Sequence, residues 1–369
     1  MRKSVSVIKE VLKGEKRVIL LPEHVKKFKE NGFDIYVESN AGEALGYDNT
    51  AYTNEGAEVV DTDTAWRCSD FVLKYKGPAE SEYKYFRKDL TLSAIFHAEG
   101  NKTLIEQMCD AGITAYSYEF FRIDDDIFPL AVPGGEIAGK VGFIHASYLL
   151  QSQFNGSGVF LADVIGAKKP KVVVIGYGNV GNAVIRMAAN LGNEVVVFGT
   201  NAQKLRKYAS TLDSNVKCLV LNKKDLINEL KDADAVFGAI LISTYDTEAI
   251  IDEDMLSVMK KGSIIVDITC GYGPGYLPTF KQPTSLTQPV YEYEGILHCK
   301  IDNLPAAYPM TTTKAYLNNA MPYILNLANS HYDKDIKDTV SENGKIIDNG
   351  KIVHPVISQH MRFYEEQEQ

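Results

Sequence analysis

Strand-length apolar runs that alternate with amphipathic helices predict an α/β protein of two Rossmann-like domains, each with a parallel sheet, and a cleft between them. Two more observations point the same way. The turn Gly176-Tyr177-Gly178-Asn179-Val180-Gly181 follows a β-branched run and opens a helix, the order that a dinucleotide-binding unit requires. A chain of 369 residues, 45 % of them hydrophobic, can also bury two medium-sized cores.

The elements follow in order. "RVILLP", from Arg17, reads as a strand, "EHVKKFKENG" as a helix stopped by Gly32, and "FDIYVES" as the strand that completes a βαβ unit. The pattern recurs through "AYTNEGAEVV", "DFVLKYKGP", "LTLSAIFHAEG", a helix near "KTLIEQMCDAG", and "ITAYSYEFF". The helical stretch "GEIAGKVGFIHASYLLQSQF" then leads to a second series beginning at "PKVVVIGYGNVG". After "ILHCKIDNLPAAYP" the pattern turns helical again, "TTTKAYLNNAMPYILNLANS", and this helix is expected to return to the first domain. The expected boundaries are 1–133 plus 305–369 for a discontinuous substrate domain and 134–304 for the dinucleotide domain. In the tail, Asp348-Asn349-Gly350 within "KIIDNGKIV" reads as a hairpin turn.

Composition excludes several classes of function. A net charge of -9 argues against nucleic acid. The longest apolar runs are strand-length and end at glycine, so no membrane span is expected, and the N-terminus lacks the apolar core of a signal peptide. The five cysteines, Cys68, Cys109, Cys218, Cys270 and Cys299, show neither paired nor metal-ligand spacing, which suits reduced thiols in the cytoplasm. A homo-oligomer acting on small molecules, without a metal, is the expectation.

In the glycine turn, Gly176, Gly178 and Gly181, with Asn179 and Val180 between them, would let backbone amides at a helix N-terminus approach a pyrophosphate. In NAD binders an Asp or Glu about twenty residues further on accepts hydrogen bonds from the adenosine ribose and repels a 2′-phosphate. Here that position is Gly199, followed by Thr200, Asn201, Lys204 and Arg206, which are small, polar or cationic. NADP(H) is therefore favoured over NAD(H).

The ordered segments "GEKRVILLPEHV", "FVLKYKGP", "EYKYFR", "FHAEG", "AYSYEF", "GGEIAGKVG", "GAILIS", "SIIVDIT" and "DNLPAAYPMTTTKAYLNNAMPYILNLAN" resemble the alanine dehydrogenase and transhydrogenase alpha-subunit family over about residues 1 to 330. The resemblance implies that Arg17 binds a substrate carboxylate, that Lys76 touches substrate, that His97 serves acid/base chemistry, and that Asn303 lies near the nicotinamide. Singly, Arg17, Lys74, Lys76 and His97 each have a bland reading as a surface cation or a satisfied histidine. Arg17, Lys76 and His97 together fall at or near the ends of successive strands of a parallel sheet, where ligand sites form. Arginine offers a fork to a carboxylate, lysine polarises an oxo group, and histidine carries a proton near neutral pH. Glu119 and Glu136 also stand at family-like positions.

Two departures separate this chain from plain alanine dehydrogenases. They carry an aspartate shortly after the strand matching "IIVDIT", where this chain has Gly271 within "CGYGPGYLP", and an acidic residue where it has Gly199. The resemblance is then greatest to N5-(carboxyethyl)ornithine synthases, with saccharopine dehydrogenases more distant. It implies NADPH-dependent reductive condensation of pyruvate with the side-chain amine of a basic amino acid. The alternatives are plain alanine dehydrogenase, with pyruvate and ammonia, and a non-catalytic nucleotide-binding regulator.

Overall fold

The computed structural model describes residues 3–123, 127–240, 250–268 and 283–367. Its strands are β1 (Ser4–Val7), β2 (Asp34–Glu38), β3 (Glu58–Val60), β4 (Phe71–Lys76), β5 (Thr91–Ile95), β6 (Thr114–Ser117), β7 (Lys171–Ile175) and β8 (Glu194–Gly199). There follow β9 (Val216–Val220), β10 (Ala235–Gly238), β11 (Ile264–Asp267), β12 (Tyr291–Tyr293), β13 (Ile296–Cys299), β14 (Lys345–Asp348) and β15 (Lys351–Ile352). The chain divides into two compact units, Met1–Gly134 with Tyr308–Gln369, and Gly135–Ala307. Both are α/β and dominated by parallel pairing, the two-domain Rossmann-like class that the alternating pattern predicts. Among the described residues no helix is long and apolar enough to cross a membrane.

In the first unit the strand order is β15-β14-β6-β5-β4-β1-β2-β3, parallel from β6 to β3 and closed at one edge by the antiparallel hairpin of the tail. Asn349 and Gly350 both take positive φ, 47° and 77°, as the two central residues of a tight hairpin turn must. One correction concerns the first strand. "RVILLP" forms no ladder; the strand is the short Ser4–Val7, which pairs with β2 on one side and β4 on the other. Val18 to Leu21 are fully buried in the core beside it, so the apolar run is explained by burial, whereas both ladder positions flanking β1 are already taken. Alternation along β4 sends Phe71, Leu73 and Tyr75 to one face, where helix Pro309–Tyr332 packs with Leu317 and Ile324, and Val72 to the other, with Trp66 and Leu104.

The second unit orders its strands β12-β13-β11-β10-β7-β8-β9, parallel except for the β12–β13 pair. Both faces of β7 are covered: Val172 and Val174 face one cluster, Val173 and Ile175 the other. That double burial is why "KVVVI" reads as a continuous apolar run rather than as an alternation. β7 sits between β10 and β8, and its C-terminal end opens into the glycine turn.

Candidate active site

Three neighbouring parallel strands of the first unit bring the acid/base groups together. Lys76 is the last residue of β4, His97 follows β5 by two residues, and Glu119 follows β6 by two. All three thus leave the carboxyl ends of adjacent strands. Lys76 Nζ is hydrogen-bonded to His97 Nε2, and His97 Nδ1 lies 3.0 Å from Glu119 Oε1. The second carboxylate oxygen of Glu119 accepts from the backbone N–H of Phe96 and of His97, each at 3.0 Å, and from the Ser117 hydroxyl at 2.7 Å. Burial pushes the Glu119 carboxyl up, but the His97 imidazole, the Ser117 hydroxyl and the Lys76 ammonium outweigh it and hold it at about 2. An ionised carboxylate only accepts, so the proton sits on Nδ1 and Nε2 presents its lone pair to Lys76. Nδ1 thus faces the carboxylate and Nε2 the lysine, which places the imidazole between the two groups.

His97 adopts φ 47°, the left-handed region that side chains rarely enter. The two backbone hydrogen bonds to Glu119 hold that strained turn, which aims the ring at Lys76. The tail contributes as well: the Tyr364 hydroxyl donates to the Glu99 carbonyl at 2.8 Å, securing the short helix Ala98–Gly100 that follows the histidine.

Arg17 is buried, with 4 % of its surface exposed, so its reading as a surface cation fails. Glu15 grips one edge of the guanidinium, accepting from Nε at 2.6 Å and from Nη2 at 2.5 Å, while Nη1 donates to the Tyr75 hydroxyl at 3.5 Å. The guanidinium also lies over the Tyr75 ring, 4.4 Å from its centre. Burial raises the Glu15 carboxyl, yet Arg17 and the charge of Lys76 leave it below the usual carboxylate range. Lys76 therefore acts electrostatically on both Glu15 and Glu119, joining the arginine and histidine halves of the site.

Lys74 is fully buried and ion-paired, so a solvated role is excluded. It donates to Glu82 at 2.9 Å and to the Lys9 carbonyl at 3.3 Å, and its ammonium lies 3.6 Å from Glu10. Glu10 accepts from the backbone N–H of Tyr75 and Lys76 and so fastens the strand end that carries the site. One ammonium shared by two buried carboxylates leaves Glu10 raised to about 7, chiefly by burial. An acid whose folded value exceeds its unfolded one makes the native state bind more protons, so stability falls as pH rises from the ordinary value of 4.5 to about 7. Denaturant titrations at pH 5 and pH 8 should show this loss, and a smaller one in Glu10→Gln. Equal losses in the two proteins would mean that Glu10 is ionised throughout.

In the second unit the glycine turn packs closely on the protein's own backbone. A Cβ on Gly176, at φ 99°, would lie 2.4 Å from the Ala239 carbonyl oxygen, and one on Gly181 would lie 2.1 Å from that of Gly176. These two glycines are required by the fold. Gly178 has nothing within 4 Å of a Cβ position and precedes helix Asn179–Asn190 without a side-chain cap, so no capping side chain covers the first amides of the helix. The Val180 carbonyl, by contrast, is closely packed, 2.3 Å from a Cβ position on Gly139. Beyond β8, Thr200, Asn201, Lys204 and Arg206 are all exposed. The Asn201 side chain accepts from the Lys204 N–H at 2.9 Å and caps helix Ala202–Ala209, which commits it to a structural bond. Glu136 pairs with Lys140 one helical turn on, at 2.5 Å. Asn303, whose carbonyl accepts from the Ala306 N–H at 3.0 Å, belongs to this second unit, whereas Arg17, Lys76 and His97 belong to the first. Gly271, with Gly273 and Gly275, lies outside the described residues.

Two family models match: the alanine dehydrogenase/PNT N-terminal domain over residues 6–132 and the alanine dehydrogenase/PNT C-terminal domain over 142–355. The chain belongs to the alanine dehydrogenase/PNT family. It is 33 % identical to an alanine dehydrogenase of Bacillus subtilis over 361 residues, 97 % of this chain and 95 % of that one. A Staphylococcus epidermidis alanine dehydrogenase is also 33 % identical, over 90 % of each chain. Among solved structures, an L-alanine dehydrogenase superposes with a TM-score of 0.89 at 32 % identity, covering 98 % of this chain and 99 % of the other. A Sinorhizobium meliloti transhydrogenase shares the fold, with a TM-score of 0.77 at 23 % identity over 95 % of this chain and 99 % of that one. Alanine dehydrogenase/PNT proteins bind a nicotinamide cofactor. The unobstructed Gly178 and the start of helix Asn179–Asn190, which no side chain caps, fit its pyrophosphate.

Sequence reading singled out Arg17, Lys76 and His97 as candidates but missed the groups that hold them: Glu15, Tyr75, Glu10 and Ser117. The signal for Glu15 was present as an acid two residues before Arg17; the other three are recognisable only once the strands are paired.

Proposed function

We propose that this chain is a nicotinamide-dependent dehydrogenase that interconverts pyruvate plus ammonia with alanine. The observation that carries the reading is the Lys76–His97–Glu119 relay on three adjacent strand ends, electrostatically linked through Lys76 to the Arg17–Glu15 pair. Arg17 would receive the substrate carboxylate on the Nη1/Nη2 edge, which adjoins the Nε/Nη2 edge that Glu15 grips. Lys76 donates to the oxo oxygen as ammonia adds, His97 passes protons to and from Lys76 as water leaves, and Glu119 holds the imidazole in one tautomer. A nicotinamide cofactor would supply, when bound, the hydride that the iminium carbon requires, and Asn303 is among the residues that would hold it. The balance is one oxo acid, one ammonia, one reduced cofactor and one proton giving amino acid, oxidised cofactor and water. NADP(H) is the proposed cofactor, on the absence of an acidic group at Gly199.

A second reading is kept for one observation. Gly271 stands where the resemblance implies an aspartate that acts on the ammonia-derived nitrogen, and glycine would leave space for the side-chain amine of ornithine or lysine, giving a secondary amine. Steady-state kinetics with pyruvate and NADPH separate the two. Ammonia is expected to give a kcat/KM at least tenfold above ornithine or lysine, about 1.4 kcal/mol. The opposite order by a hundredfold, about 2.7 kcal/mol, would transfer the function to the carboxyethyl amino acid reading.

A further inference from the structure

We propose that Tyr177 and Gly199 act as a single specificity unit for the adenosine end of the dinucleotide, with the Tyr177 ring occupying the place of the acidic side chain; this rests on the cofactor reading above. The glycine at 199 is not there for its backbone. Gly199 is not among the residues with positive φ, and its strand is paired on both sides: β8 lies between β7 and β9, Gly199 is in register with Val220, and its carbonyl accepts from the Leu221 N–H at 3.0 Å. What it provides is room. A Cβ at this position would lie 2.3 Å from Tyr177 Cε1, 2.9 Å from Cδ1 and 3.3 Å from Leu205 Cδ1.

The ring that fills this room is backed by a second tyrosine, itself anchored to the neighbouring helix. Tyr177 stacks on Tyr208 with centres 5.1 Å apart and planes 25° from parallel. The Tyr208 hydroxyl in turn donates to Asn182 Oδ1 at 2.8 Å, and that oxygen also accepts from Arg186 Nε at 3.0 Å. Tyr208 of helix Ala202–Ala209 thus backs a tyrosine that belongs to the glycine turn itself, and Asn182 of helix Asn179–Asn190 fixes Tyr208 in turn. In a Rossmann unit the side chain ending this second strand meets the adenosine ribose. Here the ribose would meet an uncharged aromatic face, with no carboxylate to accept its 2′-hydroxyl or to repel a 2′-phosphate.

The consequence is that the two positions are coupled. Aspartate at 199 cannot take up the ribose-binding role while the Tyr177 ring stands in its path; the acid and the space for it must come together. The test is equilibrium titration of NADPH and NADH into the full chain without substrate, followed by protein fluorescence, for wild type, Gly199→Asp, Tyr177→Ala and the double variant. The expected result is that Gly199→Asp weakens both dinucleotides by about tenfold or more, and that adding Tyr177→Ala restores NADH binding so that NADH is preferred over NADPH. If Gly199→Asp does not fold, as judged by circular dichroism, the same cycle is run with Gly199→Ala, where Tyr177→Ala should relieve the loss of binding. Tight NADH binding by Gly199→Asp alone, or equal effects of Gly199→Ala with and without Tyr177, would overturn the proposal. A wild-type chain that binds neither dinucleotide would instead overturn the cofactor reading on which it rests.

Discussion

Replacing His97 with alanine is expected to lower kcat by roughly two to four orders of magnitude while dinucleotide binding stays nearly unchanged. The separation follows from the two units: the relay lies in the unit that holds Met1–Gly134, the glycine turn in Gly135–Ala307. Without the imidazole, Lys76 loses the partner that takes its proton, and Glu119 loses the largest of the influences that hold it at about 2. The backbone at position 97 needs its own control, because φ 47° favours asparagine over alanine. His97→Asn should fold as wild type does, bind NADPH, and still be nearly inactive, since a carboxamide cannot carry a proton at neutral pH. An active, folded His97→Asn enzyme would reduce the histidine to a structural role.

The sequence made the architecture legible where burial leaves a periodic trace. β7, buried on both faces, appears as an unbroken apolar run; Gly32 ends its helix at φ 80°; and the Asn349-Gly350 pair turns its hairpin with both residues at positive φ. The short first strand left no such trace, because Ser4–Val7 is four residues long with two serines, while the fully buried Val18–Leu21 beside it imitates a strand without pairing. For the site, the family resemblance singled out Arg17, Lys76 and His97 as candidates, each with a bland reading when taken alone, and the structure places Lys76 against His97 at adjacent strand ends. The groups that position them were hidden, because Glu10 reaches Tyr75 and Lys76 across 65 and 66 residues of sequence, a contact that no local pattern announces. Gly199 was legible as the absence of an acid; that the absence makes room for Tyr177 emerges only from the distance between them.

Arg17→Met is expected to destabilise the first unit by about 3–5 kcal/mol, because it removes the guanidinium that is ion-paired with the buried Glu15 carboxylate. The two side chains are only 3 % and 2 % exposed, so solvent screens little of the loss. Removing both charges, in Glu15→Gln/Arg17→Met, should cost far less, within about 1 kcal/mol of wild type, since the buried pair is then replaced as a whole rather than broken. Urea denaturation of the three proteins measures the difference. The double variant also isolates the role of the arginine in binding. It would be folded, with Lys76, His97 and Glu119 in place, yet lacking the fork for the oxo acid carboxylate, so its KM for pyruvate should rise by about a hundredfold or more, with a smaller change in kcat. A pyruvate KM unchanged in that folded double variant would remove Arg17 from the substrate site and leave the pair a stabilising element alone.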